Sequence, residues 1–554
     1  MSESVDVVVI GSGAGGGPVA FALASAGARV LVLERGKHLK REDFVYDEIG
    51  IAKRSVFVPS AATDPHIVIH EGGKAERTDD GWIATCVGGG TVHMSGFFYR
   101  LRPEDFRLRD HLGSVPGALV ANWPITYEEL EPYYARVETI IGVSGSADEG
   151  PHVSPRSSPY PLPAVMTHPG GALIDRGAKK VGAFSFITPR GVISRDYDGR
   201  SACHFHPLCG SFGCHVGAKS SSLETWIPKA VATGKCEVRA ESRVLRIVSG
   251  DDGRATGVVY RDSAGADHEV SARAVVVACS AVETARLLLL STGKAHPQGL
   301  GNAEGQVGAN LMFSTLSKAH ASFDFASSPE MKEPGSQFLG RSVGDYYFGP
   351  KGLKGGGPIA KAGGLNFLFP AGGPVVQSEL AATADGARKA IWGEALKKKL
   401  AWYWHEQRQA ICETFGEYLP TQGTRVALDG SVTDSLGVAA AQINVARHPH
   451  DLEVSKYLVE KGLAILQAAG ARETWTSSVG GNTWHLPAGT ARMGTDPKTS
   501  ATDKNGRLHN VKNVFVADGA TFSTSGGWPP TLTIMANALR IGEALAGAFT
   551  RKEI

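Results

Sequence analysis

The chain carries the stretch VDVVVIGSGAGGGPVAFALASAGARVLVLERG at Val5–Gly36. Within it, Val7–Ile10 is an apolar run of strand length, and Pro18–Ala26 is a run of small residues typical of a closely packed helix. A second apolar run, Arg29–Leu33, follows and leads directly into Glu34. This pattern predicts a strand–helix–strand unit that binds a dinucleotide.

The three glycines of the GxGxxG motif in this unit each have a physical task. Gly11 permits a tight turn, Gly13 lets the backbone approach a pyrophosphate, and Gly16 lets the helix pack closely on the sheet. The N–H groups at the helix N-terminus would face the anion. Glu34 lies 21 residues after Gly13, where its carboxylate can accept hydrogen bonds from ribose hydroxyls. The unit by itself does not distinguish FAD from NAD.

Length and composition restrict the class of protein. A chain of 554 residues is too long for one ordinary hydrophobic core, so we expect two or three lobes. A net charge of +2 provides no overall field for nucleic acid or a membrane surface. We find no signal peptide and no apolar run of the roughly 18 residues that a membrane span needs. We therefore expect a cytoplasmic protein, with periplasmic export on a partner's signal as the alternative.

Further segments show local structural signals. The glycines of GGGTVHMSG, residues 88–96, favour close approach to a flat or phosphorylated ligand, with a flexible loop as the alternative. Thr126 and Glu129 have the spacing of a capping box and predict a helix to about Ile141. The apolar patterns predict strands over Glu237–Val248, Gly257–Tyr260 and Ala274–Cys279, and helices over Ala281–Ser291, Ser378–Phe415, Asp451–Ala469 and Thr531–Ala548.

Several blocks occur together in an order that resembles the glucose-methanol-choline (GMC) flavoprotein oxidoreductases, over nearly the whole chain. The combination of GGxTxxH with NWPITYEELEPYY is most similar to the bacterial branch of glucose, gluconate and polyol dehydrogenases. Besides the opening unit and GGGTVHMSG, the matching blocks are NWPITYEELEPYY (122–134), CHFHPLCGSFGCHVGAKSSS (203–222), VVVACSAVETARLLLLS (275–291), VGANLMFS (307–314), HLPAGTARMG (485–494) and VFVADGATFSTSGGWPPTLTIMANALR (514–540).

The resemblance implies an α/β (α+β) fold with two interleaved domains. The first is a Rossmann-like FAD/NAD(P)-binding domain of the p-hydroxybenzoate-hydroxylase type, and the second is a substrate domain built on a mixed or antiparallel sheet. The FAD-binding domain is expected to comprise residues 1–45, 80–115, 200–314 and 476–554. The substrate domain is expected to comprise residues 46–79, 116–199 and 315–475.

The resemblance also implies a reaction. The CH–OH group of a sugar, polyol or other alcohol would be oxidised by hydride transfer to flavin N5, with electrons passed to a non-NAD acceptor such as a quinone or cytochrome. A small partner subunit would be one such acceptor. Two alternatives remain open at this point, an oxidase that uses dioxygen and a non-redox lyase on the same scaffold.

His485 is the residue that the resemblance assigns to the alcohol proton, since it precedes the pair Gly489-Thr490. Its spacing from that pair is one residue longer than usual in the family. At the position where the family has a second histidine or asparagine, this chain has Pro529, which has no N–H and no titratable group. Either His485 acts alone or a residue such as Asn482 supplies the second catalytic contact.

The resemblance places FAD against a defined set of residues. His93 matches a histidine that is covalently bonded to the flavin in some members of the family and only contacts it in others. Val244 would meet the adenine, Asp518 the ribitol side, and the N-terminus of the last helix the pyrimidine carbonyl. The full set is Gly11, Gly13, Ala14, Gly16, Glu34, Arg35, Gly88, Gly89, Gly90, Thr91, His93, Met94, Val244, Cys279, Asn310, Asp518, Gly519, Pro530, Thr531 and Leu532.

The cysteines Cys203, Cys209 and Cys214 are close together in the sequence. They resemble three iron–sulfur ligands of related glucose dehydrogenases, although their spacing is not that of a standard cluster motif. The interleaved histidines lack the paired CxxC spacing of a zinc site. The alternative is a loop whose cysteines pack near FAD, and we expect no metal.

Overall fold

The computed structural model describes residues 3–53, 56–79, 81, 84–150, 153–333, 339–350, 359, 361–370, 373–382, 390–480 and 485–554. Its strands are β1 (Glu3–Ile10), β2 (Val30–Leu33), β3 (His66–His70), β4 (Ala75–Thr78), β5 (Ser144–Gly145), β6 (Leu162–Pro163), β7 (Ser185–Ile187), β8 (Cys236–Arg239), β9 (Arg243–Ser249), β10 (Ala255–Arg261), β11 (Asp267–Val277), β12 (Ser317–Asp324), β13 (Arg341–Val343), β14 (Gly363–Leu368), β15 (Gln407–Gly416), β16 (Arg425–Thr433), β17 (Ala439–Val445), β18 (Glu473–Ser477) and β19 (Val514–Val516).

Its α-helices are α1 (Gly16–Ser25), α2 (Leu108–Leu112), α3 (Tyr127–Ile141), α4 (Gly171–Lys180), α5 (Trp226–Ala232), α6 (Ala281–Leu290), α7 (Pro374–Ala381), α8 (Gly393–His405), α9 (Pro449–Ala468) and α10 (Thr531–Thr550). Among the helices in the described ranges, none combines the length and the apolar composition required to cross a bilayer.

The first sheet, which we call the parallel sheet, is built on the opening strand–helix–strand unit. Its order is β8-β2-β1-β11-β10-β9, and β19 pairs with the end of β11. The strands β8, β2, β1, β11 and β19 run parallel, whereas β9 and β10 form an antiparallel extension. Val7, Val8 and Val9 are fully buried because both faces of the sheet are covered: Val7 and Val9 pack in a core with α1, and Val8 packs in the larger core on the other face. The predicted dinucleotide fold is therefore present.

The second large sheet, which we call the antiparallel sheet, has the order β18-β12-β15-β14-β13-β7. Every neighbouring pair in it is antiparallel. One face packs on α4 and α9 and buries Ala319, Phe323, Leu365 and Cys412 in a separate core. The expected fold class, an α/β protein with a second mixed or antiparallel sheet, is confirmed.

A four-stranded sheet, β16-β17-β3-β4, packs with the parallel sheet rather than with the antiparallel one. Val68 of β3 and Ile443 of β17 belong to the same buried core as β1, and α6 packs on β16 and β17. Helix α3 packs against α10 in that core as well. The expected domain boundaries assign β3, β4, β16, β17 and α3 to the substrate domain, and those boundaries stay a prediction.

The capping-box prediction is confirmed, because Thr126 accepts a hydrogen bond from the Glu129 N–H and α3 ends at Ile141. The predicted helix over Ser378–Phe415 is wrong in its last part, where Gln407–Gly416 is strand β15. This strand is hydrogen-bonded between β12 and β14, and such tertiary pairing outweighs local helix preference. The predicted strand Glu237–Val248 is in fact β8 and β9, which lie at opposite edges of the parallel sheet.

A group of buried charges joins the 3₁₀ turn at Pro103–Arg107 to the antiparallel sheet. Lys361 Nζ lies 3.2 Å from Asp105 Oδ1 and 3.7 Å from Glu417 Oε2, and all three side chains are completely buried. The ammonium also lies 3.5 Å from the centre of the Tyr347 ring, whose hydroxyl donates to Asp105. Burial raises the pKa of Glu417, although the charge of Lys361 opposes the rise. We call Asp105, Lys361 and Glu417 the charged joint.

We predict that Lys361→Ala lowers the free energy of unfolding by about 3–5 kcal/mol, because it leaves two buried carboxylates without their cation. Urea unfolding of the purified protein measures the loss. Lys398→Ala is the matched control, because Lys398 forms a largely exposed pair with Glu394 and its removal should leave stability nearly unchanged. Equal stability of the two variants would show that the charged joint does not contribute to the stability of the fold.

Candidate active site

The turn after β1 is closed by backbone contacts that leave no room for side chains. Gly11 has a φ of +93°, and a Cβ there would lie 2.4 Å from the Ala278 oxygen. A Cβ on Gly16 would lie 1.9 Å from the Gly11 oxygen. Gly13 approaches the second glycine-rich segment, since a Cβ on Gly89 would lie 3.1 Å from Gly13 Cα. These positions form a cradle of bare backbone that suits a pyrophosphate.

Ser12 connects the two glycine-rich segments, and motif analysis misses it because it occupies a variable position of GxGxxG. Its N–H and its hydroxyl donate to Glu34 Oε2 at 3.2 and 2.7 Å. Its hydroxyl oxygen also accepts the Gly88 N–H at 2.9 Å. Burial raises the pKa of Glu34, although the hydrogen bonds from Gly36 and Ser12 oppose this rise. Glu34 therefore holds the turn in place, and its contact with a ribose remains a prediction.

The second glycine-rich segment forms a 3₁₀ turn over Gly89–Thr91, which includes Gly90. The Thr91 hydroxyl donates to the Gly88 oxygen at 2.5 Å and accepts the Ser222 N–H at 2.8 Å. The half-buried His93 ring stacks on Phe57 with centroids 5.2 Å apart.

Asp518 follows β19 and lies at the carboxyl edge of the parallel strands. Its Oδ2 accepts the Thr284 hydroxyl at 2.6 Å, and its Oδ1 accepts the Ala520 N–H at 2.8 Å. The Thr284 hydroxyl in turn accepts the Cys279 N–H at 3.1 Å. Burial raises the pKa of Asp518 to about 6, and the Thr284 hydrogen bond opposes the rise.

The other predicted cofactor residues lie around this edge. Ala14, Met94 and Val244 pack at the margin of the core, and Arg35 forms a 2.9 Å ion pair with Asp64. Gly519 accepts the Gly489 N–H, Pro530 is the N-cap of α10, and Thr531 and Leu532 form its first turn.

Two buried polar atoms at the same edge have no hydrogen-bond partner among the described atoms. They are Ser280 Oγ and Asn310 Oδ1. Both residues have left-handed backbone conformations, with φ of +73° and +59°. Unmatched buried polar groups are costly, so these atoms favour a bound polar molecule beside the glycine cradle.

The segment that follows His485 is hydrogen-bonded on both sides. The Ser314 N–H donates to the His485 oxygen at 3.1 Å, and Met312 and Ala488 exchange two hydrogen bonds of 2.9 Å. On the other side, the Gly489 N–H donates to the Gly519 oxygen at 3.0 Å. His485 is exposed and therefore accessible to a substrate. The second catalytic candidate, Asn482, lies outside the described residues.

Buried aromatic residues fill the space next to His485. Trp528 stacks on Tyr99 with ring centroids 4.1 Å apart, and a Cβ on Gly364 would lie 2.0 Å from the indole. Leu486, the neighbour of His485, packs against the same group. Pro529 follows Trp528 and is buried. We call Phe97, Tyr99, Phe186, Phe415 and Trp528 the aromatic cluster.

The three cysteines that are close together in the sequence, Cys203, Cys209 and Cys214, are free thiols in one loop. Cys203 and Cys214 pack beside Val192, whereas Cys209 packs beside the aromatic cluster. Within the ranges that the structure describes, no three histidine, cysteine or acidic side chains are placed to hold a metal ion. Cys203, Cys209 and Cys214 stay candidates for iron–sulfur ligands, which iron analysis and absorbance beyond the flavin bands would test.

Comparison with known proteins decides which cofactor the cradle serves. The GMC oxidoreductase family matches this chain over residues 68–315 and again over residues 420–538. The chain belongs to the GMC oxidoreductase family. As a GMC oxidoreductase it is an FAD-dependent flavoprotein, and its glycine cradle and unmatched polar atoms fit that cofactor.

Relatives of this GMC oxidoreductase cover nearly its whole length. It is 32% identical to 2-methyl-1,2-propanediol dehydrogenase of Mycolicibacterium austroafricanum, over 99% of this chain and 96% of that protein. It is 31% identical to paromamine 6'-oxidase of Streptomyces fradiae, over 98% and 91% of the two chains. Formate oxidase of Aspergillus oryzae has the same fold, with a TM-score of 0.61 and 14% identity over 100% and 99% of the two chains.

We predict that Gly16→Ala yields a protein without flavin, because the added methyl group would displace the Gly11 carbonyl that shapes the cradle. The flavin absorbance per protein after gel filtration measures this. Gly430→Ala is the control, since a Cβ there meets no atom within 4 Å. A Gly16→Ala protein with a full complement of flavin would contradict the assigned cradle.

We predict that Asp518→Asn changes how stability depends on pH. Because the pKa of Asp518 is raised to about 6, its protonated form stabilises the fold below about pH 4, and this contribution is lost as the pH rises through 6. Urea unfolding of flavin-free protein should show the wild type losing about 3 kcal/mol across this range relative to the variant. Asp251→Asn, at an exposed position, is the control. Parallel curves for wild type and Asp518→Asn would refute the prediction.

Proposed function

We propose that this GMC oxidoreductase oxidises the CH–OH group of a sugar, polyol or other alcohol and passes the electrons to a non-NAD acceptor. The observation that carries the proposal is the double anchoring of the His485 segment. Hydrogen bonds to Ser314 and Met312 on one side and to Gly519 on the other hold it at the edge where α10 begins. This rigidity suits a residue that must hold a reacting alcohol in one orientation.

The roles of the residues follow from this placement. FAD, when bound, supplies the acceptor for the hydride. His485 would accept the hydroxyl proton of the alcohol, since an exposed imidazole can exchange its proton with solvent afterwards. The N–H groups in the first turn of α10 would stabilise negative charge at the pyrimidine end of the cofactor. The aromatic cluster would exclude water from one side of the site.

Pro529 occupies the position at which the resemblance implies a second polar group. Proline cannot donate a hydrogen bond, and the side chain of the neighbouring Trp528 packs within the aromatic cluster. His485 is therefore the titratable group that we assign to the proton transfer. Asn482 remains the candidate for a second contact, and a covalent bond from His93 to the flavin remains a proposal that mass spectrometry of the denatured protein would test.

We predict that His485→Ala retains its yellow colour but is reduced by alcohol at least ~100-fold more slowly, as expected for loss of a general base. Stopped-flow absorbance under anaerobic conditions measures the reduction. His405→Ala, at an exposed position at the end of α8, is the matched control. Unchanged reduction of His485→Ala would remove this histidine from the mechanism.

The electron acceptor is tested separately. We expect little hydrogen peroxide under air and rapid turnover with a dye or quinone, and the reverse pattern would assign an oxidase. If an alcohol forms product while the flavin keeps its colour, the lyase alternative replaces the oxidation.

A further inference from the structure

The antiparallel sheet directs one face away from α9 and towards the His485 segment, and the two halves of this face differ. The half built from β14, β13 and β7 is closed. There the Tyr99 hydroxyl donates to Asn366 and lies 2.5 Å from the Ser342 hydroxyl, while Trp528 covers Gly364. No substrate can lie on this half without displacing the aromatic cluster.

The half built from β18, β12 and β15 carries different side chains beyond Phe415, which belongs to the aromatic cluster. The register places Ser477, Lys318 and Glu413 in one row across the three strands. The next row contains Trp475 and His320. Because side chains alternate along a strand, these residues share the face opposite to Ala319 and Cys412, which are buried beneath α9.

The contacts within these rows form a polar and aromatic surface. Lys318 Nζ lies 2.8 Å from Glu413 Oε1, with 33% and 16% of the two side chains exposed. Trp475 is 39% exposed and stacks on His320, with centroids 5.3 Å apart and planes at 6°. His320 Nε2 lies 2.7 Å from the Ser477 hydroxyl. Burial and the nearby Lys318 charge lower the pKa of His320 to about 4, so its imidazole is neutral at pH 7.

This surface continues from the catalytic candidate. Leu316 packs against the aromatic cluster together with Leu486. Lys318 lies two residues further along the same strand face, about 7 Å away at the usual rise per residue. The Lys318–Glu413 pair thus lies on the strand that leads away from the contact between the Ser314 N–H and the His485 oxygen.

Resting on the proposed function, we infer that the open half of this face is a subsite for a neutral sugar ring. The Trp475 indole takes the apolar C–H face of the ring, and the Lys318–Glu413 pair hydrogen-bonds two neighbouring hydroxyls. An exposed aromatic ring with adjacent polar groups has the amphipathic character of a sugar ring. Lysine donates and glutamate accepts, which matches a pair of hydroxyls. The pair carries no net charge, so a sugar acid gains nothing over a neutral sugar.

The test uses flavin reduction of the purified holoenzyme by D-glucose, D-fructose, myo-inositol, D-glucuronate and 1-propanol. For the best neutral sugar, Trp475→Ala should lower kcat/KM relative to 1-propanol roughly tenfold, through KM. Trp392→Ala is the matched control because Trp392 is 78% exposed and lies at the start of α8.

Glu413→Gln should shift the preference from D-glucose towards D-glucuronate roughly tenfold, since it leaves Lys318 without its counter-charge. Glu394→Gln is the matched control: Glu394 forms an exposed pair with Lys398, and this variant should leave the sugar preference unchanged.

Several outcomes would overturn the inference. Trp475→Ala with an unchanged sugar-to-propanol ratio would do so, and so would Glu413→Gln without a shift towards the sugar acid. If no alcohol bleaches the flavin, the proposed function fails and the subsite is tested by calorimetric titration of the holoenzyme with the same neutral sugars. Binding heat that Trp475→Ala abolishes would then support the subsite, and absence of heat in the wild type would overturn it.

Discussion

The close approach of backbone to backbone at the end of β1 is the constraint on which the rest of this structure depends. Gly16 lies against the carbonyl of Gly11, and Gly13 lies against Gly89. No side chain fits at Gly11 or Gly16, so the turn can present its backbone N–H groups to a bound diphosphate. Hydrogen bonds from Ser12 to Glu34 and from Gly88 to Ser12 then hold the turn in place without a cofactor. The chain thus builds the cradle with its own polar groups.

The position of the loop before α10 depends on a second set of contacts, which lies next to the antiparallel sheet. The charged joint and the aromatic cluster both contact the loop before α10. Glu417 accepts the Ser525 N–H, and Tyr347 accepts the Gly527 N–H. Trp528, the next residue, is held by stacking on Tyr99. The loop that positions the N-terminus of α10 is therefore held by residues that follow strands of the antiparallel sheet and by Tyr99.

These contacts also explain how the chain accommodates Pro529. A proline there removes a polar contact, and the neighbouring aromatic cluster closes that side of the site. The half of the antiparallel sheet where Lys318 and Glu413 are half-buried is the side that we propose for the substrate. Chemistry and recognition are therefore assigned to different elements. The segment that contains His485 is hydrogen-bonded to Gly519, which follows β19 of the parallel sheet. The proposed sugar contacts lie on β12, β15 and β18 of the antiparallel sheet.

The sequence by itself determined the strand–helix–strand unit, the capping box of α3 and the membership of a flavoprotein family, because these depend on local patterns and spacing. It predicted the cradle glycines, but it did not identify Ser12, whose role appears only when Gly88 is brought beside it. Tertiary structure alone decided that Gln407–Gly416 is a strand, since the neighbours β12 and β14 impose that conformation. It also decided the charged joint, because Asp105 and Tyr347 are 242 residues apart and no periodicity relates them.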